Sequence, residues 1–272
     1  MAMKRLLAGC LALSCLLCGC GSSGITLPEG SAAQDTGSAA ETQTDPPPDE
    51  SAAQEQRAAL SGLVICLDPG HGITEESAQE RVSPLSEETK AAYVSGASGS
   101  SQSEQEVNLA VAQLAREQLE ALGAQVVMTR QSEIATISNI ERAEIANRAD
   151  ADLCIRIHAD GADDASVSGM SMQVPAGELL GTPEIEAPSA QAAEIILQAV
   201  TEQTGARSRG LTQRSDLTGF NWSEVPCILL EMGFLSNAQE DALLATEAYR
   251  QSIADGITEG VCRWAAQRNG KG

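Results

Sequence analysis

The fold this sequence predicts is a single α/β domain, with a twisted, largely parallel sheet flanked by helices on both faces. Three observations point to it. Short apolar runs alternate with stretches whose apolar residues recur at helical spacing. The runs are continuous rather than alternating, as in strands buried on both faces. Ionisable residues gather just past the ends of these runs, where open parallel sheets carry their functional groups.

The first strand is Leu63-Val64-Ile65-Cys66-Leu67, stopped by Asp68-Pro69-Gly70. A helix over 107–122 follows from Val107, Leu109, Val111, Leu114, Leu119 and Leu122, and it ends at Gly123. Residues 124–129 read as a second strand, 140–149 as a helix, 152–157 as a third strand and 167–174 as a fourth. A helix over 189–203 is closed by Gly205. Residues 225–230 form the last strand and 246–266 a final amphipathic helix. Two polar segments interrupt the rhythm, 73–103 and 176–188. Loops of that length are either disordered or form the rim of a site.

The chain has 272 residues, with 38 acidic against 17 basic side chains and a net charge of -21. That balance excludes nucleic acid as a partner, because phosphate binding requires clustered Lys and Arg. It also excludes a polybasic membrane patch.

Residues 1–20 read as a secretory signal. Lys4 and Arg5 precede an apolar run from Leu6 to Leu17 that is too short to span a bilayer. The run ends in Leu17-Cys18-Gly19-Cys20, which resembles the lipobox of bacterial lipoproteins. The resemblance implies cleavage before Cys20, a lipid anchor on its thiol, and a location on the outer face of the cytoplasmic membrane. An ordinary cleaved signal peptide is the alternative. Residues 21–60 carry seven acidic side chains against Arg57 alone, with Pro46-Pro47-Pro48 in the middle. Without apolar periodicity they read as a disordered, self-repelling tether, which leaves 61–272 as the globular domain.

Four of the eight cysteines fall in the signal. Cys66, Cys154 and Cys227 sit inside apolar runs and read as small buried hydrophobes rather than a disulfide framework. The exported part has no CxxC pair, which argues against a thiolate metal site.

Three strands end in ionisable groups. The first runs into His71, the third into His158-Ala159-Asp160, and the last into Glu231. A lone histidine at a strand end is commonly a hydrogen-bonded structural residue, but here both histidines of the chain are so placed. Glu104 opens the first long helix, where a carboxylate is also favoured by the helix dipole alone. Together His71, Glu104 and His158 make the two-imidazole, one-carboxylate set of a catalytic zinc centre, which leaves a fourth position for water. Metal-bound imidazoles usually donate their other N–H to a supporting group, a role open to Asp68 and, more weakly, to Asn147.

These motifs resemble the zinc-dependent N-acetylmuramoyl-L-alanine amidases. The run from Leu63 through Asp68-Pro69-Gly70-His71-Gly72 is similar to that family's opening strand and first ligand. Glu104-Gln105-Glu106-Val107-Asn108-Leu109 resembles its second motif. Thr129-Arg130, Arg142 with Ala146-Asn147, and 152–158 follow in the family's order. Val225-Pro226-Cys227-Ile228-Leu229-Leu230-Glu231-Met232-Gly233-Phe234 resembles its final motif, whose Glu is the catalytic one. The resemblance covers about residues 61–266. It implies one Zn²⁺ per domain, peptidoglycan as substrate, Glu231 as the catalytic carboxylate, and a monomer.

There are departures from the family pattern. Arg156 and Asp160 stand where the family usually has Ser and Asn, and the 32 residues between His71 and Glu104 exceed its usual spacing, implying an enlarged rim. Arg214 reads either as a carboxylate-binding residue or as a solvated side chain on a polar loop, with Asp160 a further substrate-facing candidate. Phe220 and Trp222 line the groove or pack onto the domain. Two other classes remain open at this level. A catalytically silent wall-binding module has no reason to keep all four site residues, and a two-lobed solute-binding lipoprotein needs a longer chain.

Overall fold

The computed structural model describes residues 58–100 and 102–270. The signal, Cys20 and nearly all of the tether lie outside the described residues. The elements run β1 (Val64–Pro69), β2 (Gln79–Arg81), β3 (Thr89–Ala91), α1 (Glu104–Ala121), β4 (Gln125–Met128), α2 (Asn139–Arg148), β5 (Leu153–Asp160) and β6 (Met170–Pro175). A short 3-10 turn (Pro183–Ile185) then leads into α3 (Glu186–Thr204), β7 (Ser208–Arg214), α4 (Thr218–Asn221), β8 (Cys227–Phe234), α5 (Ala238–Leu244) and α6 (Glu247–Asn269).

Six strands form one sheet in the order β4-β1-β5-β8-β6-β7. Every neighbouring pair is parallel except β6 with β8. This is the mixed α/β domain expected from the apolar runs. Strands β1, β5 and β8 occupy the middle, and β8 is buried at all eight positions.

The long helices α1, α3 and α6 share one face, where Val111, Leu119, Ile196, Val200, Ile257 and Trp264 join the sheet residues in the main core. Helix α6 approaches α3 very closely: a Cβ on Gly256 would meet the Val200 Cα, and one on Gly260 the Ile196 Cα. The opposite face carries α2 and α4 over a smaller cluster that includes Ala146 and Phe220. Among the described residues, no helix is long and apolar enough to cross a membrane.

Register aligns the central strands into rows. Cys66, Cys154 and Cys227 are cross-strand partners, buried and unbridged. Two residues further along, Asp68, Arg156, Leu229 and Gln173 form the next row. His158 and Glu231 come two residues beyond that. Because side chains alternate across a strand, these three rows lie on one face, about 7 Å apart. Buried thiols thus give way to charged groups, and those to the site residues, toward the C-terminal edge.

The described residues of this segment, 73–100 and 102–103, are ordered, and of its two readings the rim of a site holds. Strands β2 and β3 pair as a hairpin. It is fastened to the loops beside α4, where Trp222 Nε1 donates to the Arg81 carbonyl at 3.0 Å and Asn221 Nδ2 to that of Val82 at 2.9 Å. Ser83 Oγ donates to the Leu179 carbonyl and Lys90 Nζ to that of Asp216. Phe220 is wholly buried, so both aromatic residues serve packing and fastening. Arg214 does not lie on a loop as expected: it ends β7, an edge strand whose sequence is too polar to read as one.

Candidate metal centre

The first histidine sits on a turn the chain would not adopt unaided. His71 has φ 59°, in the left-handed region. For a residue with a side chain, this conformation costs on the order of 1 kcal/mol and persists only where the surroundings impose it. Two arginines impose it here. Arg130 donates to the carbonyls of Pro69 (2.9 Å), Gly70 (2.9 Å) and, on α1, Gln105 (2.8 Å). Arg142, on α2, donates to the Pro69 carbonyl at 2.9 Å and the His71 carbonyl at 2.6 Å. Arg142 also reaches Asp68 Oδ1 at 2.6 Å, while Arg156 Nε reaches Asp68 Oδ2 at 2.8 Å and Thr129 Oγ1 adds a third donor. Burial alone would raise the Asp68 pKa, but the two guanidiniums outweigh it and hold the carboxyl well below the ordinary range.

Glu104 does not cap its helix. Ser103 and Glu106 do that through a reciprocal capping box, with Glu106 accepting from the Ser103 N–H at 2.7 Å. The Glu104 side chain is thereby free to turn inward. Its Oε2 accepts from the Ala97 N–H at 2.7 Å and its Oε1 from the Ala159 N–H at 3.2 Å. The same Oε1 lies 2.9 Å from His158 Nδ1 and 3.2 Å from His71 Nε2. The two rings meet edge-on with centroids 4.9 Å apart. Gly96 closes over the pair, since a Cβ there would fall 2.6 Å from Glu104 Oε2 and 2.9 Å from His71 Cδ2.

The proton accounting shows what this cluster is suited to hold. His71 Nδ1 is 2.8 Å from the Val94 carbonyl, which can only accept, so Nδ1 carries the hydrogen. In the neutral ring, Nε2 then presents a lone pair to a carboxylate oxygen. Two acceptors at that distance need a cation between them. Tetrahedral Zn²⁺ with bonds of about 2.0–2.1 Å would set neighbouring donors about 3.3 Å apart, close to the spacings found. The donor set fits a divalent cation, and His71, Glu104 and His158 are the group among the described residues arranged to hold one.

Electrostatics agree with the geometry. Burial pushes the Glu104 carboxyl up, but the two imidazoles beside it, His158 and then His71, bring it well below its ordinary value. Burial lowers the His158 pKa despite Glu104, which favours the neutral, ligating ring.

Glu231 stands one strand over, as the cross-strand partner of His158. Its Oε1 accepts from Gln173 Nε2 at 3.1 Å, and Gln173 Oε1 accepts from Arg214 Nη1 at 2.8 Å. Its Oε2 is buried with no partner among the described residues. Burial, then the charges of Asp160 and Glu104, push its pKa well above the usual value. Arg214 is itself engaged, giving Nε and Nη2 to the Asp216 carboxylate. Asp160 is half-buried and accepts from the Gly161 N–H.

Two expectations about supporting residues need correction. Asp68 faces no imidazole; its influence on His71 passes through Arg142, which grips both residues. Asn147 faces no imidazole either: its Nδ2 donates to the Trp222 carbonyl and its Oδ1 accepts from the Glu224 N–H. The group that fixes the His71 tautomer is the Val94 carbonyl, and the one that orients Glu231 is Gln173. Neither was singled out from sequence. A backbone carbonyl leaves no trace in residue identity, and Gln173 occupies an ordinary position in an apolar strand.

Two imidazoles and a carboxylate that could hold a metal ion converge at the C-terminal edge of a parallel sheet, beside a buried carboxyl, an arrangement suited to a hydrolase. Residues 65–263 match the N-acetylmuramoyl-L-alanine amidase family, and the chain belongs to it. It is 32% identical over 225 residues to an N-acetylmuramoyl-L-alanine amidase of Mycobacterium tuberculosis, covering 79% of this chain and 92% of that protein. It is 30% identical to the N-acetylmuramoyl-L-alanine amidase LytC of Bacillus subtilis, covering 73% of this chain but 35% of that larger protein. The crystal structure of the N-acetylmuramyl-L-alanine amidase Ami1 from Mycobacterium smegmatis superposes with a TM-score of 0.70 at 26% identity, covering 76% of this chain and 99% of that one.

Replacing Asp68 by Asn would leave two buried guanidiniums without a counter-charge. The expected loss is about 3–5 kcal/mol of stability, measured by urea unfolding. A loss below about 1 kcal/mol would mean that the arginines do not depend on this carboxylate.

Proposed function

We propose that this chain is a zinc-dependent N-acetylmuramoyl-L-alanine amidase that hydrolyses the amide between the lactyl group of N-acetylmuramic acid and L-alanine in peptidoglycan. Glu231 serves as its proton shuttle. The observation that carries the reading is the pairing of a three-donor cation site with a fourth, buried carboxyl whose Oε2 has no protein partner. Family membership and the mycobacterial amidases named above support the bond assigned.

His71 Nε2, Glu104 Oε1 and His158 Nδ1 would hold Zn²⁺. When bound, the ion supplies a Lewis acid for the amide carbonyl and lowers the pKa of water toward neutrality. The chain's own residues supply the rest. Glu231 Oε2 takes the proton from the attacking water and returns it to the departing alanine nitrogen, acting as general base and then general acid. Gln173 keeps Glu231 Oε1 occupied, so that Oε2 is the oxygen left to act. Val94 keeps the His71 lone pair aimed inward.

The signal pattern and Cys20 support export and a lipid anchor. A catalytically silent wall-binding module finds no observation in its favour, since all four site side chains are present and converge.

The test is digestion of purified peptidoglycan by the soluble domain, with products identified by mass. New L-alanine amino termini should appear, vanish with chelator and return with Zn²⁺; cleavage between sugars would overturn the assignment. Glu231→Gln should retain metal binding and lose at least about 10²-fold in kcat. The pH profile provides a separate check. The base must be ionised, so activity falls as pH drops through the Glu231 pKa, which the charge of Asp160 helps to raise. Asp160→Asn should therefore move the acidic limb to lower pH, and an unmoved or upward-shifted limb would contradict this coupling.

A further inference from the structure

A cavity of about 340 Å³ adjoins the candidate metal site, with His71 and His158 in its lining. Its lining includes Lys90, Arg142 and Arg156 and, among the described residues, no Asp or Glu side chain. In a chain with 38 acidic against 17 basic residues, a cationic cavity at the site is not explained by composition.

The donors there are only partly used. Arg142 is committed to Asp68 and to the Pro69 and His71 carbonyls. Arg156 gives Nε to Asp68 and Nη2 to Asn139 Oδ1, at 2.8 and 3.0 Å. Its Nη1 donates to no described residue and lies over Gly219, where any side chain would collide with it. Lys90 Nζ makes one hydrogen bond, to the Asp216 carbonyl at 2.7 Å, and an ammonium has three donors.

The acids nearby are shared or engaged elsewhere, among them Asp216, whose carboxylate accepts from Arg214 Nε and Nη2 while its charge still acts on Lys90. Asp68 is shared by two arginines. Glu80 is occupied by Asn139 Nδ2 and the Ile140 N–H. The rest of the lining mixes apolar side chains, among them Ala92, Ile137, Leu217 and Leu229, with the polar Thr74, Tyr93 and Asn139.

We propose that this cavity is a carboxylate-binding subsite built on Arg156 and Lys90, and that it takes the free carboxylate of the second stem-peptide residue on the leaving-group side of the scissile amide. The proposal rests on the amidase reading above. The distance selects the residue. Arg156 and His158 are two positions apart on β5 and share a face, so their Cα atoms stand about 7 Å apart along the strand. An extended peptide advances about 3.3–3.6 Å per residue, which brings the second residue after the cleaved bond level with Arg156. The apolar part of the lining suits the methylenes that a glutamate-like residue would carry there.

The experiment compares kcat/KM of the soluble domain on three synthetic muramoyl tripeptides. One has a free carboxylate on the second residue, one has a carboxamide there, and one has the carboxamide there and an added side-chain carboxylate on the third residue. The first should be preferred over the second by about tenfold or more, mainly through KM, as for a hydrogen-bonded charged group. Lys90→Met, a change at a partly exposed side chain, should reduce that ratio several-fold, and Arg156→Lys should retain more of the ratio than Arg156→Gln. Equal rates on the first two substrates, or a ratio untouched by Lys90→Met, would overturn the subsite while leaving the amidase reading intact. A preference for the third substrate over the first would overturn the assignment to the second residue. Cleavage of none of them, or of any peptidoglycan amide, would overturn the amidase reading and the subsite with it.

Discussion

Asp68 is 1% exposed and accepts hydrogen bonds from Thr129, Arg142 and Arg156. A carboxylate taken out of water at that depth costs several kcal/mol unless it is paired and hydrogen-bonded. The pairing here also organises the site. Arg142 reaches past Asp68 to the His71 carbonyl, so the charge network that neutralises the core also holds the left-handed turn presenting the first histidine. Arg156, the other partner, lines the adjoining cavity. One carboxylate thus joins β1, β5 and α2 and sets the spacing between the cation site and the cationic cavity.

From there the charges separate along the sheet. Glu104 is held ionised by the two histidines, whereas Glu231, on the neighbouring strand, has its proton stabilised by burial and by the negative charges of Asp160 and Glu104. Two carboxyls in one pocket are pushed in opposite directions by their partners, which is how acid–base and ligand roles are divided in a shared site. The rim contributes as well. Residues 73–103 supply the Val94 carbonyl to His71, the Ala97 N–H to Glu104, and the backbone of Gly96 above both. The long segment between His71 and Glu104 is therefore part of the site's support.

Much of this was legible in the sequence where burial dictates composition. Strands β1, β5 and β8 are continuous apolar runs because both faces are covered, and the ionisable residues at their ends stand out by contrast. The boundaries moved at ends set by side-chain caps, as where Ser103 and Glu106 begin α1 three residues before its first apolar position. Strand β7 was missed because an edge strand exposed on much of its surface has no apolar signature. The hairpin β2–β3 was missed because three-residue polar strands are specified by contacts distant in sequence, such as Trp222 with Arg81. In the site, the two histidines were legible from position, but the partners that orient them were not. Asp68 and Asn147 have chemistry suited to holding an imidazole, and only the packing reveals that one is held by arginines and the other by a loop.

The central claim is that His71, Glu104 and His158 form a single cation site, and zinc K-edge absorption spectroscopy of the protein loaded with one equivalent of Zn²⁺ tests it most directly. Two imidazole nitrogens and a carboxylate oxygen at about 2.0–2.1 Å are expected, with no sulfur, and a loss of the imidazole signal in a His71→Ala, His158→Ala variant. Sulfur scatterers at about 2.3 Å, or an unchanged spectrum in that variant, would contradict it.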